Sequence, residues 1–146
     1  MGGFIEIDGR RFEFSSAEME FYHCNGEVAD WNLALRRPGD DQPLWLSGSL
    51  EPGTMDPDAL PQAQLFLLEE DIGMVFETLL QTPITLYADQ PLLLVRRTPA
   101  GLHLRSSFAF DWDRALDPPG ASYPNPRSAN FDLRATIKAF HPGRLP

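Results

Sequence analysis

Apolar and polar residues alternate with a period of two along most of the chain, which predicts a protein built mainly from β-strands. The first clear case is a hairpin, in which two alternating segments flank Asp8-Gly9, a dipeptide that favours a type I′ turn. A two-residue turn at this point places Ile5 opposite Phe12 on the apolar face. We therefore expect the chain to begin with a tight β-hairpin.

A three-stranded meander is predicted next. Pairing Phe21 with Trp31 aligns the apolar faces of its first two strands, and this register needs a three-residue turn at 25–27. A Pro-flanked loop then leads to a third strand, in which the same reasoning places Leu46 beside Leu35. We expect all three strands to turn the same apolar face toward the core.

One helix is predicted near the middle of the chain. Residues 51–63 are rich in Pro, Gly and Asp, which indicates a connector. Apolar residues then recur at helical spacing behind an acidic first turn that complements the helix dipole, and Pro83 ends the element. We expect a helix over 70–81, and the alternative is that residues 65–80 are also strand.

The alternating pattern returns after the helix and predicts a second meander. Residues 84–88 are expected to pair with 92–97, a long strand at 102–112 follows, and 131–139 form the last strand after a loop at 117–130. The expected fold class is a β-dominated α+β single domain spanning 1–146. It contains two antiparallel meanders, with about nine strands, around one central helix. The alternative is an all-β sandwich or barrel.

Charge is distributed unevenly along the sequence. The net charge is −9, and the window between Arg37 and Arg96 holds ten acidic residues and no Lys or Arg. Residues 96–146 carry eight bases and four acids, a net charge of +4. We therefore expect an acidic face, which repels nucleic acid and attracts basic proteins. Since no apolar run approaches the ~20 residues that span a bilayer, no membrane partner is expected.

Residue patterns that carry chemistry are sparse. The sequence has no paired-Cys metal motif, no Gly-rich phosphate loop and no nucleophile elbow, so we predict no catalytic residue, metal or cofactor. Asp111 and Asp113 come nearest to an acid/base pair, but a strand end with Trp112 buried and two solvated acids is the simpler interpretation. His103 lies near arginines on a predicted strand and is expected to be exposed.

The preferred function is that of a cytoplasmic protein-binding module of the immunity or antagonist type, which neutralises a basic partner and needs no catalytic group. A cytoplasmic location is expected because the sequence has one Cys and begins without a secretory signal. The predicted partner-binding residues are acidic and lie on the helix and its connector: Asp56, Asp58, Glu69, Glu70, Asp71 and Glu77. The candidate aromatic anchors are the exposed members of a set of three: Trp45, Tyr87 and Tyr123.

Two other function classes remain open. The chain could be a structural or assembly subunit, for example of a phage or secretion apparatus, because its Pro content and meanders suit that role. It could also be a small-ligand-binding β domain with a weak hydrolase site at Asp111 and Asp113. A deep pocket that also encloses His103 or Arg105 would support that class. The sequence does not predict an oligomeric state.

Overall fold

The computed structural model describes residues 2–24, 27–54 and 56–141. These residues form ten strands, one α-helix and two short 3₁₀ helices. The strands are β1 Gly3–Ile7, β2 Arg10–Phe14, β3 Ser16–Cys24, β4 Glu27–Arg36, β5 Leu44–Thr54, β6 Gln64–Leu67, β7 Leu86–Tyr87, β8 Leu92–Thr98, β9 Gly101–Trp112 and β10 Arg127–His141. The helix α1 is Glu69–Leu80, and the 3₁₀ helices are Pro57–Gln62 and Arg114–Leu116.

Seven of the strands close into a barrel in the order β10, β3, β4, β5, β6, β8, β9 and back to β10. Every neighbouring pair in this ring is antiparallel except β10 and β3, which are parallel. The β1–β2 hairpin extends the sheet from the first half of β10, and β7 lies beside the end of β9. The predicted β-dominated α+β class with one helix is confirmed, and the strands close as the barrel alternative expected.

The inward side chains of the strands form one continuous apolar core, in which Trp31 and Phe21 are completely buried. The helix packs onto this core through Phe76, whose ring contacts those of Phe110 and Phe131. One apolar stripe of α1 is buried: Ile72, Val75, Phe76 and Leu79. This stripe fixes which face of the helix remains exposed.

The registers predicted for the first two hairpins are confirmed. Ile5 faces Phe12 across β1 and β2, and Phe21 faces Trp31 across β3 and β4. Both central residues of the first turn have positive φ, as a type I′ turn requires. Residues 25 and 26 of the second predicted turn lie outside the described residues.

The register predicted for β5 is wrong by two residues, because Leu35 faces Leu44 and not Leu46. A slip of two residues keeps every side chain on its original face, so alternation alone does not separate the two registers. The observed register places Gly48 opposite Trp31. Only a glycine leaves room there for both the indole ring and the backbone of β6.

The predicted hairpin between residues 84–88 and 92–97 is also wrong. β7 pairs with β9, whereas β8 pairs with β6 and β9. The reason is that α1 takes two backbone donors of this segment: the N–H of Ile84 bonds to the Glu77 carboxylate and that of Ala88 to Glu69.

Several predicted boundaries move. The helix begins and ends one residue earlier than predicted, β5 continues to Thr54 into the predicted connector, and β10 begins at Arg127 within the predicted loop. The early start of β10 has a physical cause, since the Arg127 side chain is anchored by Asp8 at 2.8 Å.

The parallel contact between β3 and β10 carries a polar cluster around Glu20. Its carboxylate accepts hydrogen bonds from His141 Nε2 and from the Tyr22 hydroxyl, each at 2.9 Å, and Lys138 Nζ lies 3.5 Å away. The hydrogen bond with His141, followed by that with Tyr22, holds the pKa of Glu20 below its ordinary value of 4.5.

Because the fold favours the ionised form of Glu20, the stabilisation is present above pH 4.5 and is lost as pH falls through the lowered pKa. We expect Glu20→Gln to be less stable than the wild type at pH 7 and to show a weaker loss of stability on acidification. Urea unfolding between pH 7 and pH 3 measures both effects. Identical pH dependence in the two proteins would contradict this role.

Candidate functional site

Large apolar side chains that remain exposed are concentrated around α1. Of the six such side chains in the described part of the chain, four lie on the helix, at its N-cap or on the segments beside it. Their exposed fractions are 68% for Met74, 53% for Tyr87, 52% for Trp45 and 47% for Leu68. Single exposed apolar residues are ordinary, whereas a cluster of them is typical of an interaction surface.

Surface clefts connect these four side chains. A cleft of about 170 Å³ lies between Trp45 and Met74, and one of about 360 Å³ lies between Met74 and Tyr87 on the other side of the helix. Two further clefts, of about 420 and 400 Å³, border Leu68. Neighbouring clefts share Met74, Glu69 or Leu68 as a wall, so the four form one band around the first turns of α1.

The walls of this band are acidic. The four clefts are lined by no Lys or Arg and by six carboxylates, whereas Arg114 borders a fifth cleft on the far side of Tyr87: the six are Asp30, Glu51, Glu69, Glu70, Asp71 and Glu77. We name the band, with its four exposed apolar side chains and these carboxylates, the α1 face. The potential over the α1 face is therefore negative, and its exposed apolar side chains lie among these carboxylates.

Three of the four predicted helix acids have structural partners. They accept hydrogen bonds that tie the helix to its neighbours: Glu69 from the Ala88 N–H at 2.9 Å, Glu77 from the Ile84 N–H at 3.3 Å, and Asp71 from the Ser47 hydroxyl. Glu70 is exposed, and its side chain makes no hydrogen bond or ion pair with any described residue. Glu70 is therefore the helix carboxylate most available to a partner.

The two predicted acids of the connector lie apart from the α1 face. Asp56 caps the first 3₁₀ helix by accepting the Asp58 N–H at 2.9 Å. Asp58 in turn lies 3.4 Å from Arg97, which partly compensates its charge. Neither residue borders the four clefts. Of the six predicted partner-binding residues, the four helix acids therefore belong to the α1 face and the two connector acids do not.

Tyr123, one of the three candidate anchors, is only partly exposed. Its ring lies 3.9 Å from the Arg127 guanidinium carbon and makes an edge contact with Trp112. These contacts occupy it within the fold, so the exposed candidates are Trp45 and Tyr87.

His103 is buried rather than exposed as predicted. Its Nε2 lies 2.7 Å from Asp132 Oδ1, and Arg96 Nη2 lies 3.4 Å from its Nδ1. Arg96 on β8 and Asp132 on β10 thus enclose the ring from both sides of β9. The sequence of β9 alone does not predict this burial, because it depends on which strands lie next to β9.

The acids around Trp112 have local structural roles. Trp112 is buried, Asp111 pairs with Arg114 at 3.1 Å, and Asp113 caps the second 3₁₀ helix. The cleft beside Asp111 is lined by neither Asp113, His103 nor Arg105. Within the described residues, no group of three His, Cys, Asp or Glu side chains is placed to hold a metal ion.

Comparison with family models, with curated proteins and with solved structures gives no significant match to this chain. None of the helices in the described ranges is long and apolar enough to cross a membrane. The geometry of the α1 face itself therefore defines the candidate functional site.

Two residues of the α1 face are poor choices for helix stability. Leu68 is the N-cap and makes no side-chain capping bond, although Ser, Thr, Asp and Asn are preferred there. Gly73 is inside the helix, and nothing lies within 4 Å of the position its Cβ would take. Departures from local stability rules tend to occur at functional sites. Leu68 borders two of the four clefts and Gly73 lines the cleft beside Met74, so the α1 face is the best candidate site.

Leu68→Asp and Gly73→Ala are each expected to raise the free energy of unfolding by about 1 kcal/mol. The first adds a capping acceptor and the second removes the entropic cost of a helical glycine. Because the two sites share no partner in the structure, the double variant should gain about 2 kcal/mol. Urea unfolding measures the stability of the two single variants and the double variant. A loss of stability in either single variant would contradict the conclusion that Leu68 and Gly73 are unfavourable for the stability of α1.

Sequence reasoning missed Leu68 and Met74 as candidate anchors. The position of Met74 outside the apolar stripe of α1 was a usable signal, since a helix exposes the side opposite its buried stripe. Leu68 gave no such signal, because its exposure depends on the helix starting at the next residue.

Proposed function

We propose that this protein is a small, acidic, cytoplasmic protein-binding module that docks a basic protein on its α1 face. Binding of the module covers the basic surface of the partner and thereby blocks it, which is the action of an immunity or antagonist protein. One observation carries the proposal: four exposed apolar side chains and six carboxylates share a surface whose walls include no Lys or Arg.

The α1 face has the two components that a binding surface needs. Burial of Met74, Trp45 and Tyr87 against a partner removes apolar area from water and supplies affinity. The surrounding carboxylates attract a basic partner over several ångströms and speed its association. No bond is made or broken in this activity, so the protein needs no catalytic group.

A capture experiment tests the proposal. The tagged protein is incubated with a lysate of the source organism at low salt, and bound proteins are identified by mass spectrometry. We expect one stoichiometric basic protein, released at ~0.5 M salt because screening weakens attraction between surface charges. The captured protein is then purified, and its direct binding to the module is measured.

Two charge-reversal variants of the bait supply the control. Glu70→Lys changes the α1 face, whereas Glu13→Lys makes the same change at an exposed position on β2 that borders none of the four clefts. We expect only the first to lose the partner, with both variants folded by circular dichroism. Equal capture by both, recovery of the bait's own chain alone, or no stoichiometric basic protein would overturn the proposal.

A further inference from the structure

We propose that the cleft between α1 and β7 receives one basic side chain of the partner, an arginine or a lysine. This inference rests on the proposed function, because it names the group that the partner places on the α1 face. The cleft measures about 360 Å³, and three of its walls are the carboxylates of Glu69, Glu70 and Glu77.

The width of this cleft is fixed by hydrogen bonds within the chain. Glu77 accepts the Ile84 N–H at 3.3 Å and Glu69 accepts the Ala88 N–H at 2.9 Å. These bonds hold both ends of the segment that carries β7 against the helix. The cleft is therefore formed before a partner arrives, which reduces the ordering cost of binding.

Gly73 keeps the floor of the cleft open. It lines the cleft from the middle of α1, and nothing lies within 4 Å of the position where a Cβ would be. No turn, positive φ or close backbone approach at this position requires a glycine. The open space is therefore the evident consequence of having glycine here, and a longer side chain on the helix would fill it.

The walls match a cation carried on an apolar stem. The Glu70 side chain makes no hydrogen bond or ion pair with any described residue, while the Glu69 and Glu77 carboxylates each use one of their roughly four acceptor sites on a backbone N–H. The exposed ring of Tyr87 offers a cation–π contact, and Met74 offers apolar surface to a methylene stem. A carboxylate in the same place would meet only like charge.

Two matched peptides test the inference without the natural partner. One is acetyl-Leu-Arg-Leu-amide, and the other replaces the arginine by citrulline, which has nearly the same shape and no charge. Both are titrated into the ¹⁵N-labelled protein. We expect the arginine peptide to shift the amide signals of Gly73 and Tyr87 saturably and to bind at least about tenfold more tightly than the citrulline peptide.

Variants separate the cleft from the rest of the α1 face. Gly73→Leu should weaken binding of the arginine peptide at least about tenfold while the protein stays at least as stable as the wild type, since leucine is a strong helix former. Glu70→Gln should weaken it, and Glu13→Gln on β2 should leave it unchanged. Equal affinity for the two peptides, or wild-type affinity in Gly73→Leu, would overturn the inference.

The captured basic protein distinguishes this inference from the proposed function. If Gly73→Leu still binds it and Glu70→Lys does not, the α1 face is the docking surface and the side-chain inference is wrong. If the wild type binds neither the captured protein nor the arginine peptide, both are wrong. If Gly73→Leu no longer binds the captured protein and remains as stable as the wild type or more so, the result supports both the proposed function and the side-chain inference.

Discussion

Replacing Arg127 by alanine is expected to lower the free energy of unfolding by about 3–5 kcal/mol, the usual cost of breaking a buried ion pair from one side. Arg127 is buried, and its Nε lies 2.8 Å from Oδ2 of Asp8, which is itself largely buried. The other Asp8 oxygen accepts the Ser128 N–H at 3.0 Å. Without the guanidinium, the Asp8 carboxylate loses its counter-charge, while Tyr123 and Trp112 lose the cation that contacts their rings.

Two further variants separate the charge from the shape of Arg127. Arg127→Lys keeps the charge but loses the planar group that lies over Tyr123, so its loss should be smaller than that of Arg127→Ala. The double variant Asp8→Asn with Arg127→Met should lose less than the sum of its single variants, since neither partner is left charged and alone. Urea unfolding measures the set. A loss below about 1 kcal/mol for Arg127→Ala would contradict a structural role for the pair.

Gly48→Ala is expected to cost about 3 kcal/mol or more, at the upper end of overpacking effects. The added Cβ would lie 1.7 Å from the Phe66 carbonyl oxygen and 2.9 Å from Trp31 Cζ2. The carbonyl belongs to the backbone of β6 and cannot rotate away as a side chain does. The β5–β6 pairing must therefore open beside the fully buried Trp31.

Gly73→Ala is the matched control for Gly48→Ala, because it is the same chemical change with the opposite expected sign. At Gly73 the new methyl meets nothing within 4 Å and the helix gains about 1 kcal/mol. Thermal and urea unfolding of both variants give the comparison. A Gly48→Ala protein as stable as the wild type would mean that β6 does not approach β5 as closely as described.

The parts of the fold that could be predicted from the sequence are those that local chemistry determines. The type I′ turn at Asp8-Gly9 and the pairing of Phe21 with Trp31 follow from turn residues and alternation within a few positions. Closure of the barrel does not follow from local chemistry, because it pairs β10 with β3, for example Thr136 with Glu18. No local pattern specifies a contact between residues so far apart in the chain.

Only part of the candidate site could be predicted from the sequence, because its other features depend on contacts between residues that are distant in the chain. The acidic character of α1 follows from the absence of Lys and Arg between Arg37 and Arg96. The sequence does not show which of these carboxylates remain available to a partner. The backbone of residues 84–88 engages Glu69 and Glu77, and Arg97 engages Asp58. The availability of Glu70 therefore emerges only from the packed structure.

The central claim, that the α1 face binds a basic protein, is tested most directly by the affinity of the purified partner measured by calorimetry at ~0.05 M and ~0.5 M salt. We expect the wild-type dissociation constant to rise at least about tenfold with salt, since the attraction is between exposed charges. At low salt Glu70→Lys should weaken binding at least about tenfold, and Glu13→Lys should change it by less than about twofold. A dissociation constant that neither salt nor Glu70→Lys changes would contradict the account.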